Sequence, residues 1–387
     1  MSRFEEVQAE NELRRERIIQ GKYNCLPFPF ERFRKVYPGV EQGKYISITA
    51  NQKVGKSKLA DSIFVYAPLF FMLEHPEIKV KVIYFSLEMS AKEKYNEFLC
   101  HLLAREDKIH IDTRRLRSVD KPCDPHIFEL LKSERYQRII KAYEDMVIFN
   151  DSDKNPTGIR KFYRDYALEH GHYNYQTVKV KNKFTGEMEE EKVLDPIEPY
   201  TQDDPDEYRI IILDNAANIS TEKNYETSRA AIEKVSKDAI VAKKQLNYIF
   251  VLIQHQAQSQ ESVENIKLGR MRPTADGLGD NKTTSRDLNC LMGLYNPAKF
   301  LEEVKEDTYK GYNIARLKNY CRFLEIIDDR DYGAGGCYIG LFFDGATSTF
   351  KELPLPTDRK ALEKFYKYAE FLDSREEEEE LRLTNPK

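Results

Sequence analysis

Gly55, Lys56 and Ser57 follow the apolar run KYISITA (44–50) and open a long, mostly apolar stretch that ends near His75. Strand, tight loop and helix in that order suit phosphate binding. Consecutive backbone N–H groups point inward at anionic oxygens, at the start of a helix whose dipole favours negative charge. The lysine neutralises phosphate charge, and the neighbouring hydroxyl holds Mg2+. The consensus is G-x-x-x-x-G-K-[ST], and its first position here is Ala50. Alanine replaces that glycine tolerably while φ stays negative. Asn51, Gln52, Lys53, Val54, Gly55, Lys56, Ser57 and Lys58 are the expected nucleotide contacts, with ATP and Mg2+ as the cofactors. A chance GKS in a turn is the competing reading, and the flanking strand and helix argue against it.

Hydrolysis needs a held metal, a group that activates water, and stabilisation of γ-phosphate charge. Asp214 ends the apolar strand RIIILD and suits the metal side, beside Ser57. Glu88, in YFSLEMS, follows the strand after the phosphate-loop helix. It is expected beside the C-terminal end of the phosphate-loop strand, where a carboxylate can activate water. An exposed acid at a helix start is the plainer reading of Glu88. Gln254, in FVLIQHQ, ends a third strand, where an amide can sense the γ-phosphate. Polar residues at the C-terminal ends of several buried strands are the layout of a site on an open α/β sheet.

The positioning elements alternate along the chain. Strands are expected at 44–50, 79–87, 146–151, 209–214, 248–254, 288–295, 322–328 and 338–344. Helices are expected at 56–75, 91–107, 124–143, 158–171 and 227–246. This alternation predicts an α/β fold, a mostly parallel twisted sheet with helices on both faces. The last strands lack long intervening helices, so an antiparallel edge is expected there. Residues 3–20 read as a charged helix ended by Gly21, either an arm that packs on a neighbour or a frayed tail. Residues 22–43, rich in proline and aromatics, read as a wrapping loop with a short helix. The polar segment 177–207 reads as a surface insertion with a hairpin turning at FTGE. Residues 358–382 read as a helix with a solvated acidic run at Glu376–Glu380. The expected divisions are an arm over 1–24, an ATPase domain over 25–355, and a helix with an acidic tail over 356–387.

Bulk composition narrows the class. A chain of 387 residues with net charge −4 is no basic nucleic-acid coat, so any nucleic-acid site must be local. Cys25, Cys100, Cys123, Cys290, Cys321 and Cys337 include no CxxC pair, which disfavours a zinc site or a disulfide framework and fits a reducing cytoplasm. No apolar run reaches the roughly 20 residues of a membrane span.

The order of motifs resembles the ATPase domain of the DnaB-type replicative helicases, within the RecA-like superfamily. The resemblance covers roughly residues 25–353 and rests on ITANQKVGKS, YFSLEMS, IIILDN, VLIQHQ, LGDNKTTSRDLNCLMGLY, and FLEIIDDRDYGAGG followed by IGLFFDGATSTF. FSLEM is the most specific piece. The resemblance implies a RecA-like P-loop core that works as a ring-forming, probable-hexamer-sized DNA motor in a bacterial cytoplasm, driven by ATP. It implies Glu88 as catalytic carboxylate, Asp214 as metal-side carboxylate and Gln254 as sensor. Arg330 becomes an arginine finger that reaches the neighbouring subunit's nucleotide. Departures are Ala50, Asp328 in place of a lysine two residues before the finger, and IQHQAQ without the arginine that follows the sensor. The family's N-terminal helical domain has no counterpart in this sequence, which weakens the expectation of primase coupling and leaves residues 3–20 as the subunit-linking arm. A reduced helicase of this kind would suit a bacteriophage. Single-stranded DNA is the expected partner, with a primase or a helicase loader as further candidates. Its contacts are expected on loops 215–229 and 255–286, the second carrying Lys267, Arg270, Arg272, Lys282 and Arg286. Ordinary loop solvation is the plainer reading of those charges. The alternative function is a RecA-like ATPase that binds or remodels nucleic acid or a partner without unwinding.

Overall fold

The computed structural model describes residues 2–181, 183, 186–196, 198–279, 281–300 and 307–384, with the side chains of 375–384 excepted. A nine-stranded sheet organises the chain. Its strands are β1 (Tyr45–Ala50), β2 (Lys79–Ser86), β3 (Val147–Asn150), β4 (Glu207–Asp214), β5 (Ile249–His255), β6 (Cys290–Tyr295), β7 (Cys321–Asp329), β8 (Tyr338–Asp344) and β9 (Thr349–Glu352). Their spatial order is β9-β8-β7-β6-β1-β5-β4-β2-β3. From β6 across to β3 every pair is parallel. The β6–β7, β7–β8 and β8–β9 pairs are antiparallel, so the expected antiparallel edge is present.

The parallel strands are buried on both faces, and residue parity sorts their side chains. On one face, Ile46 and Ile48 of β1, Val82 and Tyr84 of β2, Ile210 and Ile212 of β4, and Val251 and Ile253 of β5 share a core. On the other, Tyr45, Ile83, Phe85, Ile211, Leu213, Phe250 and Leu252 share a second. The first face is covered by α2 (Lys56–Asp61, continuing through a π-helical turn Ser62–Tyr66 into Ala67–Glu74), α3 (Ala91–Asp107) and α4 (Glu134–Met146). The second is covered by α5 (Pro156–Glu169) and α6 (Ser228–Gln245). Helix α3 starts at a capping box, with Ser90 and Glu93 each satisfying a backbone donor of the other. The helix expected over 124–143 is two helices, Pro125–Leu131 and Glu134–Met146. Ser133 caps the second, as a short hydroxyl residue commonly does.

The insertion is larger than the sequence indicates. The helix before it stops at Glu169, and Gly171 opens a strand, Gly171–Tyr173, paired with Tyr200–Gln202. A side chain at Gly171 would sit 2.2 Å from the Tyr200 hydroxyl, so close strand approach requires glycine there. Tyr175–Lys181 and Met188–Leu194 pair as an antiparallel hairpin. Most of its FTGE turn lies outside the described residues, as do the side chains of Glu376–Glu380.

Residues 26–40 wrap the core through Phe28, Phe30, Phe33 and Tyr37, all buried. The C-terminal helix, Arg359–Thr384, packs Leu362, Tyr366, Ala369 and Leu372 against Ile314, Leu317 and Phe342. The N-terminal helix α1 (Arg3–Ile19) buries none of its residues. Arg17 meets Asp206 at 2.5 Å, Arg14 pairs with Glu41, and Phe4, Val7, Leu13, Ile18 and Ile19 stay exposed. Among the described residues, no helix is long and apolar enough to cross a membrane.

Candidate active site

Ala50 is the last residue of β1 and fully buried, so the chain is still extended where the consensus has its first glycine. The left-handed conformations come later, at Lys53 (φ 58°) and Gly55 (φ 103°). That explains why alanine serves at position 50 while glycine is needed at 55. A side chain at Gly55 would also come within 3.0 Å of the Phe343 ring. The loop is braced from outside. Asn51 Nδ2 donates to the Met271 carbonyl at 3.3 Å, the Gln52 carbonyl accepts from Lys299 at 3.3 Å, and the Val54 carbonyl accepts from Arg322 Nε at 2.7 Å. Arg322 is itself buried, with its remaining donors on Asn319 and the Cys321 carbonyl. Burial draws its pKa down to about 10.

Lys56 is 7% exposed and lies inside the loop. Its Nζ is 2.9 Å from His255 Nδ1 and 3.4 Å from the Asn51 carbonyl. Ser57 Oγ donates to Asp214 Oδ1 at 2.9 Å, joining the first turn of α2 to the end of β4. A hydroxyl and a carboxylate at that spacing are hard oxygen donors. They suit Mg2+, which takes one or two protein ligands and completes its shell with phosphate oxygens and water. The Asp214–Asn215 peptide is cis. Asn215 Nδ2 donates to Glu88 Oε2 at 2.6 Å, and Leu87 N–H donates to the Asp214 carbonyl at 2.8 Å. Glu88 is therefore held to the Asp214 strand end while its side chain stays exposed. It does not lie beside β1 as expected, since β5 and β4 intervene between β1 and β2. Lys58 turns outward to the Gly345 carbonyl at 2.6 Å and to Glu97 at 3.2 Å.

Gln254 is not brought to the phosphate loop. Its amide bonds Ser47 at 3.1 Å and Thr284 at 3.0 Å on the α6 face of the sheet. Side chains alternate along a strand, so the next residue, His255, points to the opposite face and meets Lys56. A strand buried on both sides shows no polar–apolar alternation, so the sequence carries no signal for which of the two faces the phosphate.

A buried charged cluster lies behind Asp214. Tyr84 OH is 2.8 Å from Asp61 Oδ1 and 3.1 Å from Asp214 Oδ2. Lys94 Nζ, 2% exposed, is 2.9 Å from Asp61, 3.4 Å from Asp214 and 3.8 Å from Glu97. Burial opposes the charge on Lys94, but those carboxylates outweigh it and hold its pKa above the ordinary lysine value. Burial pushes the Asp61 carboxyl up to about 6 against the pull of Lys94. Asp61 and Lys94 look like surface charges in the sequence, and only tertiary packing reveals the cluster.

Arg330 stands at the other end of the sheet. Asp329 is in register with Cys290, and Cys290 with Ile46. From Ile46 to Ala50 alone, β1 runs roughly 13 Å at about 3.3 Å per residue. Arg330 is exposed, and its guanidinium donates to the Arg286 carbonyl. Of the cations expected on nucleic acid, Lys267, Arg270, Lys282 and Arg286 are exposed, whereas Arg272 faces Glu325 at 3.4 Å. The five fall on separate stretches. Met271 ties the first group to the phosphate loop, and Asn281 ties the second to α6 through the Arg229 carbonyl.

The layout of sheet, phosphate loop and strand-end acid is that of the RecA-like class of P-loop folds. No protein-family model matches the chain, and no curated protein matches it. Among solved structures, it is similar to a helicase ATPase domain, with TM-score 0.58 and 13% identity over 89% of this chain and 98% of that one. It is also similar to a DnaB-like replicative helicase described together with its interactions with primase, with TM-score 0.57 and 14% identity over 87% of this chain. The chain spans 64% of that helicase's length. At such identities the likeness is one of fold: this chain has the RecA-like fold of DnaB-type helicase ATPase domains.

Proposed function

We propose that this chain is the motor of a ring-forming replicative DNA helicase, hydrolysing ATP with Mg2+ at interfaces between copies to move on single-stranded DNA and unwind duplex. One arrangement carries the reading. Lys56, Ser57, Asp214 and Glu88 converge at one end of the sheet, while Arg330 stands at the other. A guanidinium so placed serves a second copy's nucleotide, which makes turnover depend on assembly. In the bound state Lys56 faces the β- and γ-phosphates, and Ser57 with Asp214 would hold the metal, which supplies charge neutralisation. Glu88, oriented by Asn215, accepts the proton of the attacking water. His255, rather than Gln254, is placed to feel the γ-phosphate through Lys56. Loops 215–229 and 255–286 supply the DNA contacts, with Lys267, Arg270, Lys282 and Arg286 directed at backbone phosphates. Helix α1, with its apolar residues exposed, is the arm that packs on the neighbouring copy.

A second reading, an ATPase that remodels nucleic acid or a partner without unwinding, is favoured by Asp328, an acid two residues before Arg330. ATP hydrolysis with and without single-stranded DNA, with forked-duplex unwinding scored in the same tubes, separates the two. DNA-stimulated turnover with unwinding supports the helicase. Stimulated turnover without unwinding supports the remodeller, and no turnover contradicts both.

A further inference from the structure

We infer that Lys94 is a positioning residue for the metal-side carboxylate, an inference that rests on the reading of Asp214 as that carboxylate. The two oxygens of Asp214 have different surroundings. Oδ1 accepts from Ser57 Oγ at 2.9 Å, and Oδ2 lies 3.1 Å from Tyr84 OH and 3.4 Å from Lys94 Nζ. Tyr84 has a single hydrogen and faces two carboxylates, since Asp61 Oδ1 is nearer at 2.8 Å. When that hydrogen goes to Asp61, Lys94 is the cation that keeps Oδ2 turned inward and Oδ1 turned to Ser57. An ammonium has three hydrogens and fits this task, reaching Asp61 at 2.9 Å, Asp214 at 3.4 Å and the edge of Glu97 at 3.8 Å.

The cluster also ties three elements together. Asp61 belongs to α2, which begins at the phosphate loop, Asp214 ends β4, and Lys94 sits in the first turns of α3. Glu88 lies in the short link between β2 and α3, which is pinned on one side by the Leu87–Asp214 backbone bond and on the other by Lys94. Lys94 thus fixes the direction of the metal-side carboxylate and the start of the helix behind the catalytic one. Groups of this kind orient ligands without touching the metal.

Removing Lys94 alone would strand buried carboxylates, so the informative variant replaces the pair. Asp61→Leu with Lys94→Met substitutes apolar groups of similar size for a buried ion pair, a change that folded proteins often tolerate. Asp61→Asn with Lys94→Gln serves where melting shows the first to be unfolded. The full chain is titrated with Mg2+ at fixed fluorescent N-methylanthraniloyl-ATP, and binding is read directly. Binding without Mg2+ should stay near wild type, while the half-saturating Mg2+ concentration should rise about tenfold. Lys94→Arg, which keeps a cation, should recover most of it. If Lys94 merely weakened the Asp214 charge, its loss would lower the Mg2+ requirement. A lowered or unchanged requirement overturns the inference and leaves the ATPase reading standing. Absence of any Mg2+ effect on wild-type binding overturns both.

Discussion

Ser57 Oγ and Asp214 Oδ1 are 2.9 Å apart, although 157 residues separate them in the chain. The contact joins the phosphate-loop helix to the end of β4, and it forms because both residues fall on the same face of the sheet. Asp214 shares parity with Ile210 and Ile212, which pack on the α2 side. Ser57→Ala and Asp214→Asn should each lower Mg2+-dependent kcat by about 100-fold or more, as loss of a dominant electrostatic group does. Nucleotide binding in chelator should survive in both. Equal loss of binding with and without Mg2+ would place these residues outside the metal site.

Glu88→Gln should keep nucleotide affinity and lose turnover by roughly 100- to 10,000-fold, the range for a general base. Asn215→Ala, which frees the Glu88 carboxylate, should lower kcat by about tenfold and leave KM unchanged, a pattern expected when positioning alone is lost. Steady-state kinetics on the pair check this, and a change confined to KM would assign Asn215 to binding.

His101 gives a stability prediction. It stacks on Tyr66 with ring centroids 4.3 Å apart, and burial, aided by Arg105, draws its pKa down from 6.5 to about 4. Between those values the unfolded chain binds a proton that the folded chain refuses, so stability falls as pH drops through the window. The full effect is on the order of 3 kcal/mol. Asp61, raised from 3.8 to about 6, acts in the opposite direction: its contribution declines as pH rises through that range. The test is therefore the difference between wild type and His101→Phe, which retains the stack. Denaturant midpoints at pH 4.5 and 7 should diverge less in the variant, and an equal slope in both would contradict the assignment.

Deleting residues 1–20 removes a helix that buries none of its residues in its own chain. Monomer stability should change little, while the mass distribution by light scattering should shift to smaller species. An unchanged distribution would dismiss the arm.

Strand positions, the parallel core and the antiparallel edge were legible because buried strands are continuous apolar runs bounded by turn residues. The phosphate loop and Asp214 were legible for the same reason, since a polar residue ending such a run stands out. Parity was not legible: Gln254 and His255 follow a strand apolar on both faces, and only strand pairing decides which one meets Lys56. Lys94 and Asp61 were hidden because charged residues within helices normally face water. Arg322, which holds the Val54 carbonyl, was hidden within a strand far along the chain. The break at Ser133 inside the expected 124–143 helix was missed because a single serine is a weak stop signal.

The claim that two copies complete each site is tested most directly by mixing two inactive variants, Lys56→Ala and Arg330→Ala. Each alone should hydrolyse no ATP. In mixed assemblies some interfaces pair an intact Lys56 on one copy with an intact Arg330 on the next, so activity should reappear and pass through a maximum at intermediate ratios. Activity that stays absent at every ratio, in assemblies shown to exchange subunits, would contradict action across the interface, as would an Arg330→Ala variant that remains active by itself.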